Sequence, residues 1–167
     1  MVFTKSELLS ALQLELNICI HLAGKIDRAQ LDYRPTPKQR STIELLRYLV
    51  VQGPALLTGA KNGVFDGPGW GAAQAVADTK DVDGLVAMFE AQKGQFATIV
   101  DSMSDADFRA EIEMFGRKST RGQFLVQSLL GNYIAYRTQL FLYLKSCGRD
   151  ELVTSNLWRG VDPAPKA

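Results

Sequence analysis

The sequence has one histidine, two cysteines and no apolar run near the roughly 18 to 20 residues that cross a bilayer. Each shortage removes a class of function. With His21 alone a histidine-rich metal centre cannot be built, and the Glu-x-x-His pairs of di-iron bundles are missing. A serine or cysteine nucleophile with a histidine base would have to be assembled around His21. On a helical projection that residue falls opposite the Leu12, Leu16 and Ala23 stripe, so an exposed or interface histidine is expected. Cys19 and Cys147 stand near opposite chain ends and form no CxxC, which suits a reduced, cytoplasmic setting. Charge of one sign is also lacking, with 19 basic against 18 acidic residues, so neither nucleic acid nor a membrane is expected as a partner. The opening MVFTKSELLSALQLELN carries acidic residues and no apolar h-region or cleavage site, and reads as helix rather than signal. There is no internal repeat, and 167 residues suit one domain spanning 1–167.

What is present is helical periodicity. The longest pattern runs from Ser119 to Gly148, about 27 residues or roughly 40 Å, with Thr120 or Ser119 as cap and Gly148 as left-handed terminator. Leu125, Ser128, Leu129, Asn132, Tyr136, Gln139, Leu140 and Tyr143 recur at three- and four-residue spacing, a stripe mixing apolar bulk with amides and phenols. The other side is apolar as well, leaving Arg137, Thr138 and Lys145 as the solvent residues, so burial on more than one side is expected.

Thr4 to Glu7 is a capping box opening helix 1 to about Arg28, and Ser41 to Glu44 is a second, opening helix 2 through about Leu57. Helix 1 carries a second apolar line, Leu14, Ile18 and Leu22, that needs a cover. Between Gly59 and Gly71, five glycines and Pro68 predict a loop, mobile or forming a pocket rim, anchored by Phe65 and Trp70. GPGWG follows no strand and opens no capped helix, so a phosphate cradle is rejected. Helix 3 is expected from about Asp81 to Met103, an extended excursion over 110–118, and a C-terminal tail in which Leu157 and Trp158 dock and the Pro-rich end frays. The sum is an all-α chain, an antiparallel four-helix bundle with a Gly-rich loop, a short tail and room for one longer crossover.

Several side chains are candidates for chemistry. Glu15, Glu44, Glu90 and Glu111 are scattered rather than paired, as on solvated helix faces. Arg117, Lys118 and Arg121 cluster where the long helix begins and could meet an anion, as could Arg34, Lys38 and Arg40. Tyr48 on helix 2, with Asn132, Tyr136 and Gln139 on the long helix, stands out. Buried phenols and amides must bond to each other, to water or to a ligand.

Ser41 to Leu49, STIELLRYL, and Asn132 to Leu140, NYIAYRTQL, resemble the helix-2 and helix-4 segments of the DinB/YfiT-like family, and the Tyr33-Arg34-Pro35 connection and LYLKSCG ending agree. The resemblance implies a helical bundle, usually dimeric, that holds a divalent metal through three histidines, one in an ELLxHL pattern and two in HxxxHRxQ. Those positions here are Tyr48, Asn132 and Tyr136, while Arg137 and Gln139 of the second pattern remain. Metal-bearing relatives include thiol S-transferases and a maleylpyruvate isomerase. Phenol and amide groups are poor substitutes for imidazoles around zinc or nickel. The expectation is a cytoplasmic, non-catalytic protein with no metal and no cofactor. It either binds a small molecule through Tyr48, Asn132, Tyr136 and Gln139 or acts as a homodimeric interaction module. The alternative is a metal-dependent thiol S-transferase or isomerase-like enzyme with a non-standard ligand set drawn from Cys19, Glu15 or His21. Elemental analysis of the purified protein should find no stoichiometric transition metal, and about one zinc or nickel per chain would overturn that expectation.

Overall fold

Both early helices start where their capping boxes put them. In the computed structural model, which describes residues 3–164, α1 (Lys5–Ala23) opens with the Glu7 amide donating to the Thr4 hydroxyl at 3.2 Å and Glu7 accepting from the Thr4 amide at 2.7 Å. The same reciprocal pair, Ser41 and Glu44, opens α2 (Thr42–Asn62). α1 stops at Ala23, five residues before the expected end, and α2 runs five residues past Leu57 to a left-handed Gly63 at φ 74°. Gly59 is thus inside a helix. It is small because a Cβ there would meet Met114 at 3.2 Å and the Val64 carbonyl at 3.3 Å, a close approach rather than a break.

The expected Gly-rich loop is largely another helix, α3 (Gly67–Asp78). Asp66 accepts from the Gly69 amide at 2.9 Å and Pro68 occupies the first turn, so GPGWG does open a capped helix, although no strand precedes it. α4 (Val82–Asp101) and a short α5 (Asp105–Arg109) follow. The excursion at 110–118 is a two-stranded antiparallel hairpin, β1 (Glu111–Met114) and β2 (Arg117–Thr120), turning through Phe115 and Gly116 at φ 53° and 73°. The long helix comprises α6 (Arg121–Phe124), a π-helical segment (Leu125–Leu130) and α7 (Gly131–Ser146), and α8 (Thr154–Arg159) closes the chain. The chain is therefore mostly helical with one small sheet.

Cross-helix contacts fix the directions of the four long helices. Lys5 bonds the Met103 carbonyl and Arg28 pairs with Asp83, so α1 and α4 are antiparallel. Tyr48 meets Tyr136, Gln52 meets Asn132 and Arg121 reaches the Ala60 carbonyl, so α2 and the long helix are also antiparallel. By contrast Arg47 reaches the Lys80 carbonyl and Gln92 the Val50 carbonyl, so α2 and α4 run parallel. α1 and the long helix are parallel too, through Glu15 with Arg137 and the Lys25 carbonyl with Arg149. The antiparallel pattern thus has two parallel neighbouring pairs, and the longer crossover for which the sequence left room is supplied by α3, which carries the chain back along α2.

Arg137 is the largest departure from the sequence pattern, which assigned it to solvent. It is 1% exposed. Its guanidinium pairs with buried Glu15, donates to the Leu157 carbonyl at 2.6 Å and lies 4.8 Å from the centroid of the Trp158 ring. Burial holds the Glu15 carboxyl above the ordinary carboxylate value against the opposing pull of the guanidinium. The tail packs on α1 with Leu157 partly buried as expected, whereas Trp158 is 56% exposed and meets the body through Arg137. Ile18 and Leu22 are wholly buried, which leaves only Leu14 of the second apolar line exposed. The described tail ends with Asp162 bonded to Lys25 at 2.7 Å, and residues 165–167, where fraying is expected, lie outside the described residues.

Pro54 lies inside α2 and has no N–H, so the Val50 carbonyl one turn earlier loses its helical partner. Gln92 of α4 supplies the missing donor at 2.7 Å, and its own carbonyl accepts from the Tyr133 hydroxyl at 2.7 Å. Tyr133 can enter because residue 53 is glycine; a Cβ there would stand 1.9 Å from its oxygen. Replacing Gln92→Leu orphans the Val50 carbonyl and the Tyr133 hydroxyl and should cost about 3 kcal/mol in urea unfolding. In a Pro54→Ala background, where residue 54 regains its own donor, the same change should cost about 1 kcal/mol less.

Candidate functional site

Two adjacent turns of α2 and the long helix face each other, and their polar side chains form the candidate site. On the outer turn the Tyr48 ring meets Tyr136 edge-on with centroids 4.9 Å apart, and Trp70 of α3 packs on Tyr48 at 5.8 Å. The Arg40 guanidinium lies over the Tyr48 ring at 4.0 Å. On the inner turn Asn132 donates its amide to Gln52 at 3.4 Å. Gln52 is fully buried, and its amide nitrogen has no partner among the described residues. Oxygen and nitrogen of such an amide are assigned from the bonding network, so the amide can be turned. Either way one end of Gln52 stays unpaired.

Of the four residues singled out in the sequence, Tyr48 and Tyr136 touch, and Asn132 joins them one turn along through Gln52. Gln139 does not join this set. It donates to Tyr143 at 2.5 Å, whose hydroxyl donates in turn to the Arg40 carbonyl at 3.0 Å beneath the edge of Tyr33, so Gln139 fastens the connection before α2. Gln52 was missed, and Arg40, expected only in a basic cluster with Arg34 and Lys38, lies over Tyr48. The signal for Gln52 was an amide one turn beyond Tyr48 within an apolar helix. Trp70 and Phe65 anchor the Gly-rich stretch as expected, tilted against each other at 5.7 Å; much of the stretch is a helix start rather than a loop, and Trp70 lines a cleft, as the rim expectation had it.

These side chains do not fit a transition metal. Burial first, and then the neighbouring Tyr136 phenol, push the Tyr48 phenol up to about 12, the wrong direction for a phenolate ligand. Asn132 is spent on Gln52. Among the described residues no three His, Cys, Asp or Glu side chains gather closely enough to hold an ion. Glu15 is held by Arg137, and burial pushes the Cys19 thiol far above its ordinary value. His21 lies half-buried beneath the tail rather than at the surface, within 3.0 Å of the Asn156 amide, and its imidazole is lowered by burial. An alternative ligand set from Glu15, Cys19 and His21 gains no support.

The other candidates are structural. Arg121 donates to the carbonyls of Ala60 and Asp107 at 2.8 and 3.3 Å, which ties α2 and α5 to the start of the long helix; it is not free for an anion. Arg117 and Lys118 are exposed on β2. Glu44 caps α2, Glu90 pairs with Lys93 at 2.6 Å and Glu111 is exposed on β1, so none of the carboxylates stands ready for acid or base work.

No family model matches the sequence, and no curated protein matches it significantly. Among solved structures, the chain is similar to YjoA, a DinB-like protein from Bacillus subtilis, with 23% identity, 88% of this chain and 95% of that chain covered, and a TM-score of 0.68. The fold is DinB-like. No helix among the described residues is long and apolar enough to cross a membrane.

Because the Tyr48 phenol is raised in the folded state, its contribution to stability is complete below its ordinary value near 10 and is lost as the pH climbs toward about 12. A Tyr48→Phe variant should keep more of its stability across that window than the parent, measured by urea unfolding at both ends. Equal alkaline losses in the two proteins would contradict the burial of this phenol.

Proposed function

We propose that this protein is a non-catalytic, small-molecule-binding member of the DinB-like four-helix bundles, with a neutral polar ring where metal-bearing relatives carry histidines. The observation that carries the reading is the unpaired end of the buried Gln52 amide beside Asn132, one turn from the half-buried rings of Tyr48 and Tyr136. An unpaired buried amide costs about 1 to 3 kcal/mol, which a ligand with a matching polar edge would recover. Tyr136 and Trp70 offer rings around Tyr48, and the Arg40 guanidinium over the Tyr48 face offers a cation. That combination suits a planar polar molecule with an anionic substituent. Native mass spectrometry of the freshly purified protein should show such a mass, lost in Gln52→Leu. Absence of any bound mass, together with no thermal stabilisation by a panel of heteroaromatic carboxylates, would overturn the proposal.

A second reading, the homodimer, is favoured by Val126, Ile134 and Leu142 on the long helix, which are 42%, 36% and 55% exposed. Sedimentation should give twice the chain mass, and an 18.4 kDa species at micromolar concentration would exclude it.

The positions themselves are tested by the triple replacement Tyr48→His, Asn132→His, Tyr136→His. The i to i+4 pair on α7 and the facing turn of α2 should then bind one zinc, read by calorimetry. A folded triple variant that binds none would mean that the three positions do not share a centre.

A further inference from the structure

A cleft of about 400 Å³ opens between α2, α3 and α4. Its α2 wall is Val51, Pro54 and Ala55 rather than Tyr48 and Gln52, so it is distinct from the polar ring. The topology leaves this space. α2 and α4 run side by side, α3 leans on α2, and the side chains projecting into the gap include Ala55, Ala73 and Ala91, too short to close it. Trp70 closes one end. The volume lies within the range of small-molecule sites.

The lining also states the chemistry of an occupant. Asp66 is its one ionisable group, and that carboxylate is committed to the Gly69 amide at the start of α3. An anionic ligand would meet no counter-charge, and the one carboxylate is exposed to water. Gln92 spends its nitrogen on Val50 and its oxygen on Tyr133, whereas the side chains of Thr58 and Gln95 make no hydrogen bond to another described residue and can serve one polar substituent. Of the twelve residues of α3 only Ala77 is buried, so the helix that walls the cleft is lightly held and can adjust to a guest.

We propose that the cleft between α2, α3 and α4 binds an uncharged, mainly apolar small molecule, with α3 as its adjustable wall and the Trp70 indole at its end. The site shares only Trp70 with the polar ring and does not depend on that reading.

Trp70 and Trp158 are the two tryptophans, so in a Trp158→Phe chain the signal comes from Trp70, and the cleft and ring variants locate the dye. Titration with prodan, an uncharged naphthalene dye, should give saturable energy transfer from Trp70, and an anionic anilinonaphthalene sulfonate should bind about tenfold more weakly. Ala91→Leu, which fills the cleft, should weaken prodan by about tenfold, and Ala73→Leu should do the same from the opposite wall if the first variant does not fold. Gln52→Leu should leave prodan binding unchanged. The proposal is overturned by an absence of saturable transfer, by Ala91→Leu and Ala73→Leu chains that fold and bind prodan like the parent, or by loss of binding in Gln52→Leu alone, which would put the dye at the polar ring.

Discussion

A proline that removes one hydrogen bond sets the arrangement of the interior. Pro54 leaves the Val50 carbonyl without a donor in the middle of α2, and a buried carbonyl cannot stay that way cheaply. The repair comes from α4 through Gln92, and Gln92 is itself satisfied by Tyr133 from the long helix, admitted by the absence of a side chain at Gly53. Three helices are thereby locked at one level, in rotation as well as in height. α2 presents Tyr48 and Gln52 to the long helix, and Pro54 and Ala55 to the space beside α4. Both candidate binding regions depend on that rotation.

The polar ring follows an electrostatic logic unlike that of a metal centre. A divalent ion brings its own charge and compels its ligands to stay deprotonated, whereas phenols and amides carry no net charge and need no counter-ion. Burying them costs only what their unmet hydrogen bonds cost. Tyr48 and Tyr136 offset part of that by packing edge to face, and Arg40 adds a cation to the face of Tyr48 without entering the interior. The buried charge of the molecule is placed elsewhere, in Glu15 and Arg137, where it joins α1 to the long helix and to the tail. Arg137 belongs to the sequence pattern that resembles the metal-bearing relatives, yet in this chain its bonds are entirely architectural.

What could be read in the sequence was what local chemistry controls. The capping boxes placed the starts of α1 and α2 because both partners of each box lie within four residues. Thr120 and Gly148 marked the long helix for the same reason. Errors arose where a distant neighbour decides. Gly59 looks like a breaker until Met114 is seen against it, and Arg137 looks solvent-bound until Glu15, 122 residues earlier, is found opposite. The parallel course of α2 and α4 has no local signature, and the helix that makes it possible was hidden by the glycines in its own first turn. For the site, residue spacing brought Asn132 and Tyr136 to one face and the family pattern added Tyr48, and Gln52 follows Tyr48 by one turn, but its pairing with Asn132 depends on packing against another helix.

The closing contacts of α1 span nearly the whole chain. Glu15 with Arg137, Lys25 with Arg149, His21 with Asn156 and Lys25 with Asp162 join residues 122 to 137 positions apart. During synthesis the first helix emerges with a carboxylate whose partner has not yet been made, and a half-finished core would have to bury that charge alone. Packing against α4 is open to α1 earlier, but these four contacts close longer loops and carry a correspondingly larger closure entropy.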